Sequence, residues 1–125
     1  MSKKIYVDAF FDQYEDFLQQ MVTSFPEDSD WARYRTGIAV FRRANPMSIV
    51  KTTWDGIAPF EPVIRKRDDT FFLTRRDSDT SSTQDPIEYI LAKLTTAWSG
   101  LSVHNRNIIW DYVTNIMTLA KLCVA

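Results

Sequence analysis

The chain has 125 residues, the length of one ordinary domain, and its charges nearly cancel, with 15 Lys and Arg against 16 Asp and Glu. Its 45% apolar content is enough for a buried core, which excludes intrinsic disorder for most of the chain. No run approaches the roughly 18 apolar residues of a membrane span, and the N-terminus has no signal-peptide apolar block. We therefore expect a single domain over residues 1–125, located in the cytoplasm and with no membrane partner.

Two helices are predicted in the first third of the chain. From Val7 to Phe25 the apolar residues recur at spacings of three and four, which indicates one buried helical face, and Pro26 ends this helix. The polar run 27–30 offers N-caps for a second helix, whose apolar stripe reaches Phe41.

A third helix and a loop follow. Asn45 and Pro46 predict an N-cap and a first helical position. Pro59 and Pro62 allow only a short turn or one helical turn after this helix. The run 74–84 contains no apolar residue, so we expect it to be a mobile polar loop.

Two more helices complete the chain. Asp85 and Glu88 are spaced as a capping box at the start of a fourth helix, for which Gly100 is a C-cap candidate. Ser102 is spaced to cap a fifth helix. No segment alternates as a strand does, so the predicted fold is all-α, a compact bundle of about five helices.

Metal, cofactor and nucleophile chemistry have few candidate residues. Cys123 is the only cysteine and His104 the only histidine, which excludes a disulfide framework and a multi-His metal centre. Oxygen-bearing side chains from Asp77 to Glu88 follow the spacing of a calcium-binding EF-hand loop, but Ser82 stands where that loop requires glycine. A polar loop that ends in a capping box explains the same residues, so we expect no metal, no cofactor and no enzymatic activity.

Asp68 and Asp69 form the only other pair that we considered for acid–base chemistry. Because the basic run 65–67 directly precedes them, we interpret them as a helix end that is linked by salt bridges.

Charge is distributed unevenly along the chain. Residues 1–31 carry two positive and seven negative charges, whereas residues 32–76 carry ten positive and four negative. Clustered arginines can bind phosphates, so nucleic-acid binding through residues 42–76 is one hypothesis. An acidic protein surface, or the acidic first helix of the same copy or of another copy, is at least as suitable a target.

Aromatic residues suggest a protein interface. Trp110 lies one position away from the main apolar stripe of the last helix, and Phe11 lies beside the acidic face of the first. We therefore expect both to be exposed, and exposed aromatics are common anchors of interfaces. The candidate binding surface combines the basic cluster with this tryptophan: Arg42, Arg43, Arg65, Lys66, Arg67, Arg75, Arg76 and Trp110.

Four local strings occur together in this chain: Phe25-Pro26, Ala44-Asn45-Pro46, Asp68-Asp69-Thr70-Phe71-Phe72 and Ile109-Trp110-Asp111-Tyr112. In this order the chain resembles short uncharacterised all-helical proteins of large eukaryotic DNA viruses that infect algae and amoebae. The resemblance covers roughly residues 9–120 and implies a virus-encoded protein of the host cytoplasm or the virion. It implies no active-site residue.

Together these features predict a non-enzymatic protein for interaction or assembly, which associates with itself or with a partner protein. Nucleic-acid binding through the basic residues is the alternative.

Overall fold

The long helices predicted from the apolar spacing form and pack against one another, which confirms the all-α bundle. The computed structural model describes residues 3–73 and 86–125, which form helices and short connections without a strand. The predicted mobile loop 74–84 and the predicted cap Asp85 lie outside the described residues. The long helices are α1 (Lys4–Ser24), α2 (Ser29–Ala44), α3 (Pro46–Ile57), α6 (Pro86–Ala97) and α7 (Val103–Val124), and the short ones are α4 (Glu61–Arg65) and α5 (Thr70–Leu73).

Side-chain caps begin three of the long helices, as expected. The N–H groups at the starts of α2, α3 and α7 donate to the side chains of Asp28, Asn45 and Ser102 at 3.1, 3.3 and 3.1 Å. Pro46 occupies the first turn of α3. Each such cap contributes about 1 kcal/mol of stability. The first helix begins at Lys4, three residues before the expected start.

Helix α1 packs against α2 and α7 and is antiparallel to both. Near one end, the rings of Phe17 and Trp31 lie 6.3 Å apart, and at the other end Arg42 of α2 approaches Asp8 of α1. The ammonium of Lys3 donates to the carbonyl of the last residue of the chain. The start of α1 and the ends of α2 and α7 therefore share one end of the bundle.

Helix α4 ends in a Schellman motif with a non-glycine residue in the left-handed region. The Asp68 N–H donates to the Val63 carbonyl at 3.2 Å, and the Arg67 N–H donates to the Ile64 carbonyl at 3.0 Å. Arg67 has a φ of 52°, a conformation that favours glycine. Its guanidinium reaches Asp111 of α7 at 2.5 Å, which ties α4 to the longest helix.

The end of α6 differs from the expectation. Gly100 is not a left-handed C-cap, because no glycine in the described ranges has a positive φ. The helix instead ends at Ala97 and tightens into a 3₁₀ turn over Trp98–Gly100. The guanidinium of Arg106 donates twice to the Trp98 carbonyl, at 2.9 and 3.1 Å. A side chain from α7 thus satisfies the carbonyl that a glycine cap commonly satisfies.

Candidate functional site

Arg42, the first of the predicted basic residues, binds carboxylates of α1. Its Nη1 lies 2.6 Å from Glu15 and 3.0 Å from Asp12, and its Nη2 lies 3.9 Å from Asp8. Burial by itself lowers the pKa of Arg42, but the hydrogen bonds with Glu15 and Asp12 outweigh burial and raise it. The acidic first helix and the basic middle region therefore meet here within one copy.

The second basic cluster, residues 65–67 at the end of α4, also forms ion pairs with carboxylates, through two of its three residues. Arg65 donates to Glu61 at 3.1 Å, and Lys121 of α7 donates to the same carboxylate. The hydrogen bond from Lys121, together with Arg65, lowers the pKa of Glu61. Arg67 binds α7 as described above, and Lys66 is exposed.

The described contacts do not gather the predicted basic residues into one group. Arg42 faces α1, whereas the cluster at the end of α4 contacts its own helix and α7. Arg43 and Lys66 are exposed and form no ion pair within 4 Å with the carboxylates described. Arg75 and Arg76 lie outside the described residues.

Trp110 is in the core, so the expectation that it is an exposed anchor is wrong. Only 1% of it is exposed, its Nε1 donates to Asp69 at 3.0 Å, and its ring lies 5.1 Å from Phe72 and 5.4 Å from Trp98. Phe11 is also fully buried, against expectation. Helices α1 and α7 each contact several neighbours, so the buried arc of each is wider than one apolar stripe.

The two adjacent aspartates at the start of α5 have different structural roles. Asp68 accepts from the N–H and the hydroxyl of Thr70 at 3.0 and 2.7 Å, and these bonds lower the pKa of Asp68. Asp69 binds Arg106 at 3.2 Å as well as the buried indole. The interpretation as a salt-linked helix end is confirmed for Asp69, whose ion-pair partner, Arg106, comes from α7 and not from residues 65–67.

An open cleft of about 380 Å³ lies between the N-terminal half of α2 and helix α6. Aromatic and small side chains dominate its lining: Phe25, Trp31, Tyr34, Tyr89, Ala92 and Ala97. The rings of Trp31 and Tyr34 are nearly perpendicular, with centroids 5.9 Å apart, and burial raises the pKa of Tyr34. Tyr89 stands at the cleft with 44% of its surface exposed.

Lys93 of α6 joins the two sides of this cleft. Its ammonium lies 2.5 Å from Asp28 and 2.7 Å from Asp30, and 6.0 Å from the ring centroid of Trp31. Asp28 therefore acts both as the N-cap of α2 and as an ion-pair partner of Lys93.

The rim of the cleft, together with the charged residues next to it, carries a small negative charge. Glu27 is exposed beside Asp28, so three carboxylates stand here against the cations of Lys93 and Arg33, the latter paired with Asp30. Cations over aromatic rings and beside carboxylates are favourable, so this rim suits an incoming arginine or lysine.

Sequence reasoning missed this cleft. The expectations that the run 27–30 caps α2 and that the following apolar stripe is core are confirmed for Asp28 and Trp31, but neither indicates a cleft. The one usable signal was the sequence of two aspartates followed by two aromatics on the same helical face. Lys93, which completes the arrangement, lies 65 residues beyond Asp28, and local patterns do not reveal such a pairing.

An exposed apolar and basic surface lies at the opposite end of α2. Val40 is 58% exposed and Phe41 is 43% exposed, and Arg43 is exposed beside them. Val40 and Arg43 are three residues apart and therefore adjacent on the helix surface. Phe41, two residues before Arg43, lies on a different side of the helix, so we call Val40 and Arg43 alone the α2 end patch.

A smaller cleft of about 100 Å³ lies between α1 and α7. Its apolar lining includes Met21, Ile108 and Tyr112, and its polar lining includes Ser24 and Asn105. None of its lining side chains carries a charge, which distinguishes it from the cleft at α2 and α6.

No protein-family model matches the chain, and neither a curated protein nor a solved structure shows a significant match. The resemblance to proteins of large DNA viruses therefore stays a prediction, as do the absence of a cofactor and of enzymatic activity. Across residues 3–73 and 86–125, no group of His, Cys, Asp and Glu side chains is arranged to hold a metal ion, and no helix has the length and apolar character needed to cross a bilayer. Residues 77–85 of the calcium-loop candidate lie outside these ranges.

Proposed function

We propose that this chain is a non-enzymatic interaction protein that binds a segment of another protein chain in the cleft between α2 and α6. The observation that carries this proposal is the cleft itself, where the exposed ring of Tyr89 stands next to the partly exposed carboxylates of Asp28 and Asp30. Tyrosine and tryptophan are enriched at the energetic centres of protein interfaces, because each offers apolar area with a polar group.

The shape of the cleft favours the insertion of a partner's side chain over a flat contact between two protein surfaces. Its volume of about 380 Å³ accommodates one or two large side chains, and its walls come from two helices that face each other. The buried Trp31 ring packs against Tyr34 and Phe17 and supports Tyr34 from behind, so a partner meets a wall that is already ordered. A preformed wall reduces the entropy that binding costs.

The cellular setting rests on the resemblance alone. On that basis we propose an assembly protein of a large DNA virus, acting in the host cytoplasm or within the virion.

Nucleic-acid binding stays the alternative, supported by the exposed side chains of Arg43 and Lys66. It is the weaker proposal because Arg42, Arg65 and Arg67 bind carboxylates of the chain itself. Mobility-shift titrations with DNA and RNA at about 50 mM salt separate the two, since phosphate contacts are strong at that salt concentration. A mobility shift that disappears with rising salt favours nucleic-acid binding. If no shift is observed, nucleic-acid binding is ruled out.

Capture of partners from the cells that express the chain tests the main proposal. Wild type, Tyr89→Arg and Val103→Arg serve as baits, because both variants add the same charge at an exposed position but only the first lies in the cleft. We expect at least one protein that is captured by wild type and by Val103→Arg and is lost with Tyr89→Arg. If the three baits capture the same proteins in the same amounts, the cleft is not a binding site.

A further inference from the structure

We infer that the segment bound in the cleft is the α2 end patch of a second copy of this chain. The inference rests on the proposed function of the cleft and names its occupant. In this contact, Val40 of one copy lies against the rings of Tyr34 and Tyr89 of the other, and the guanidinium of Arg43 lies next to the carboxylates of Asp28 and Asp30.

The patch and the cleft of one copy cannot meet each other. Both belong to α2, and Asp30 and Arg43 are separated by 13 residues of a continuous helix, which is about 20 Å along its axis. Arg43 can therefore reach the cleft carboxylates Asp28 and Asp30 only in another copy, whereas its neighbour Arg42 binds α1 of its own copy.

The chemistry of the two surfaces is complementary. The patch offers the exposed side chain of Val40 and an arginine without an ion pair among the residues described. The cleft offers aromatic rings, and carboxylates outnumber cations by one at its rim. Arginine stacks on aromatic rings and pairs with carboxylates in the same contact, which lysine does less well.

Other pairings of the same surfaces are less favourable. A cleft placed on a second cleft brings the carboxylates of both copies together, and a patch on a second patch brings two Arg43 side chains together. Like charges across an interface oppose association. Patch against cleft is the pairing that joins opposite charges and apolar surfaces at once.

Sedimentation velocity over a concentration series up to about 500 μM tests the inference, because small interfaces of this kind associate weakly. The cleft variant is Tyr89→Arg, and the patch variant is the double substitution Val40→Ser with Arg43→Ser. Lys51→Ser is the matched control, since it removes an exposed cation of α3 that lies in neither surface. Circular dichroism and a melting curve of each variant verify that it is folded.

We expect wild type and Lys51→Ser to associate equally, and each of the other two variants to associate at least about tenfold more weakly, the effect of losing one central contact. An equimolar mixture of the cleft and patch variants should associate again, because the patch of one meets the intact cleft of the other. Recovery in the mixture is the decisive result, since cleft-to-cleft and patch-to-patch contacts do not produce it.

Three results overturn the inference. These are a monomeric wild type at every concentration, a patch variant that associates like wild type, and a mixture that stays monomeric. If any of them occurs while Tyr89→Arg still loses a captured protein, the cleft binds a different partner and only the identity of the occupant is wrong. If capture also fails, the proposed function is wrong as well.

Discussion

Two aromatic groups flank α6, and they are built from the same kinds of residue with opposite results. Near the end of α6, Trp98 and Trp110 pack with Phe72, and Arg106 bound to Asp69 lies beside them. In the cleft, Trp31 packs with Tyr34, and Lys93 bound to two aspartates lies beside them. The first group is closed, whereas the second is open on one side, where Tyr34 and Tyr89 reach the surface although Trp31 itself is buried.

The difference comes from a third element. Helix α5 packs Phe72 against both tryptophans of the closed group, with its ring 4.2 Å from Trp98 and 5.1 Å from Trp110. Nothing within the described part of the chain fills the corresponding position in the cleft, where the exposed side of Tyr89 remains. Each group thus has a buried tryptophan beside a cation and a carboxylate, and the aromatic rings around it form either a core or a candidate site, depending on whether a neighbouring helix covers them.

The largest expected effect is in the closed group. Trp110→Ala should lower the free energy of unfolding by about 3–5 kcal/mol, because it removes a buried ring and leaves a cavity. Urea unfolding followed by circular dichroism measures the change. A loss below about 1 kcal/mol would contradict the closed packing described here.

Removing the carboxylate of Asp69, which binds Trp110 and Arg106 of the closed group, should lower the free energy of unfolding by a smaller amount. Asp69→Ala leaves the buried indole N–H of Trp110 without its acceptor and breaks the pair with Arg106, which we expect to cost about 1–3 kcal/mol. Asp69→Asn keeps an acceptor oxygen and serves as the control. Equal losses for the two variants would show that charge, and not the hydrogen bond, is the important property.

A substitution in α2, one of the two helices that form the cleft, should raise the free energy of unfolding. Gly37 lies in the interior of α2, and a Cβ added there meets no atom within 4 Å. Gly37→Ala should therefore raise the free energy of unfolding by about 0.5–1 kcal/mol through helix propensity. Thermal unfolding measures it, and a destabilised variant would mean that the space beside Gly37 is filled in solution.

The smallest effect on stability is expected in the open group. Tyr89→Ala should change the free energy of unfolding by no more than about 0.5 kcal/mol, because much of the ring already contacts solvent. The same urea series used for Trp110 measures it. A loss comparable with that of Trp110→Ala would mean that the cleft is closed in the free protein.

Local sequence patterns were sufficient for most of the fold. The caps Asp28, Asn45 and Ser102 and the apolar spacing predicted the long helices, since both signals act within one or two turns. The partners of Asp69 and the burial of Trp110 were not predictable in this way, because they depend on how α5 and α7 pack.

The candidate site was less predictable than the fold for the same reason. Each wall of the cleft has an ordinary helical pattern, and the site exists only because α6 brings Lys93 and Tyr89 to the start of α2. The charge count by segment left open whether the acidic and basic regions meet within one copy or between copies, and Arg42 meets α1 within one copy.

The left-handed Arg67 has a consequence for how freely this position can vary. Replacement by glycine relieves a backbone cost of about 1 kcal/mol and removes an exposed ion pair with Asp111 that is worth at most about as much. The two contributions nearly cancel, so descendants of this chain can exchange arginine and glycine here at almost constant stability. What changes with the exchange is the link between α4 and α7, which becomes looser with glycine while the turn itself is retained.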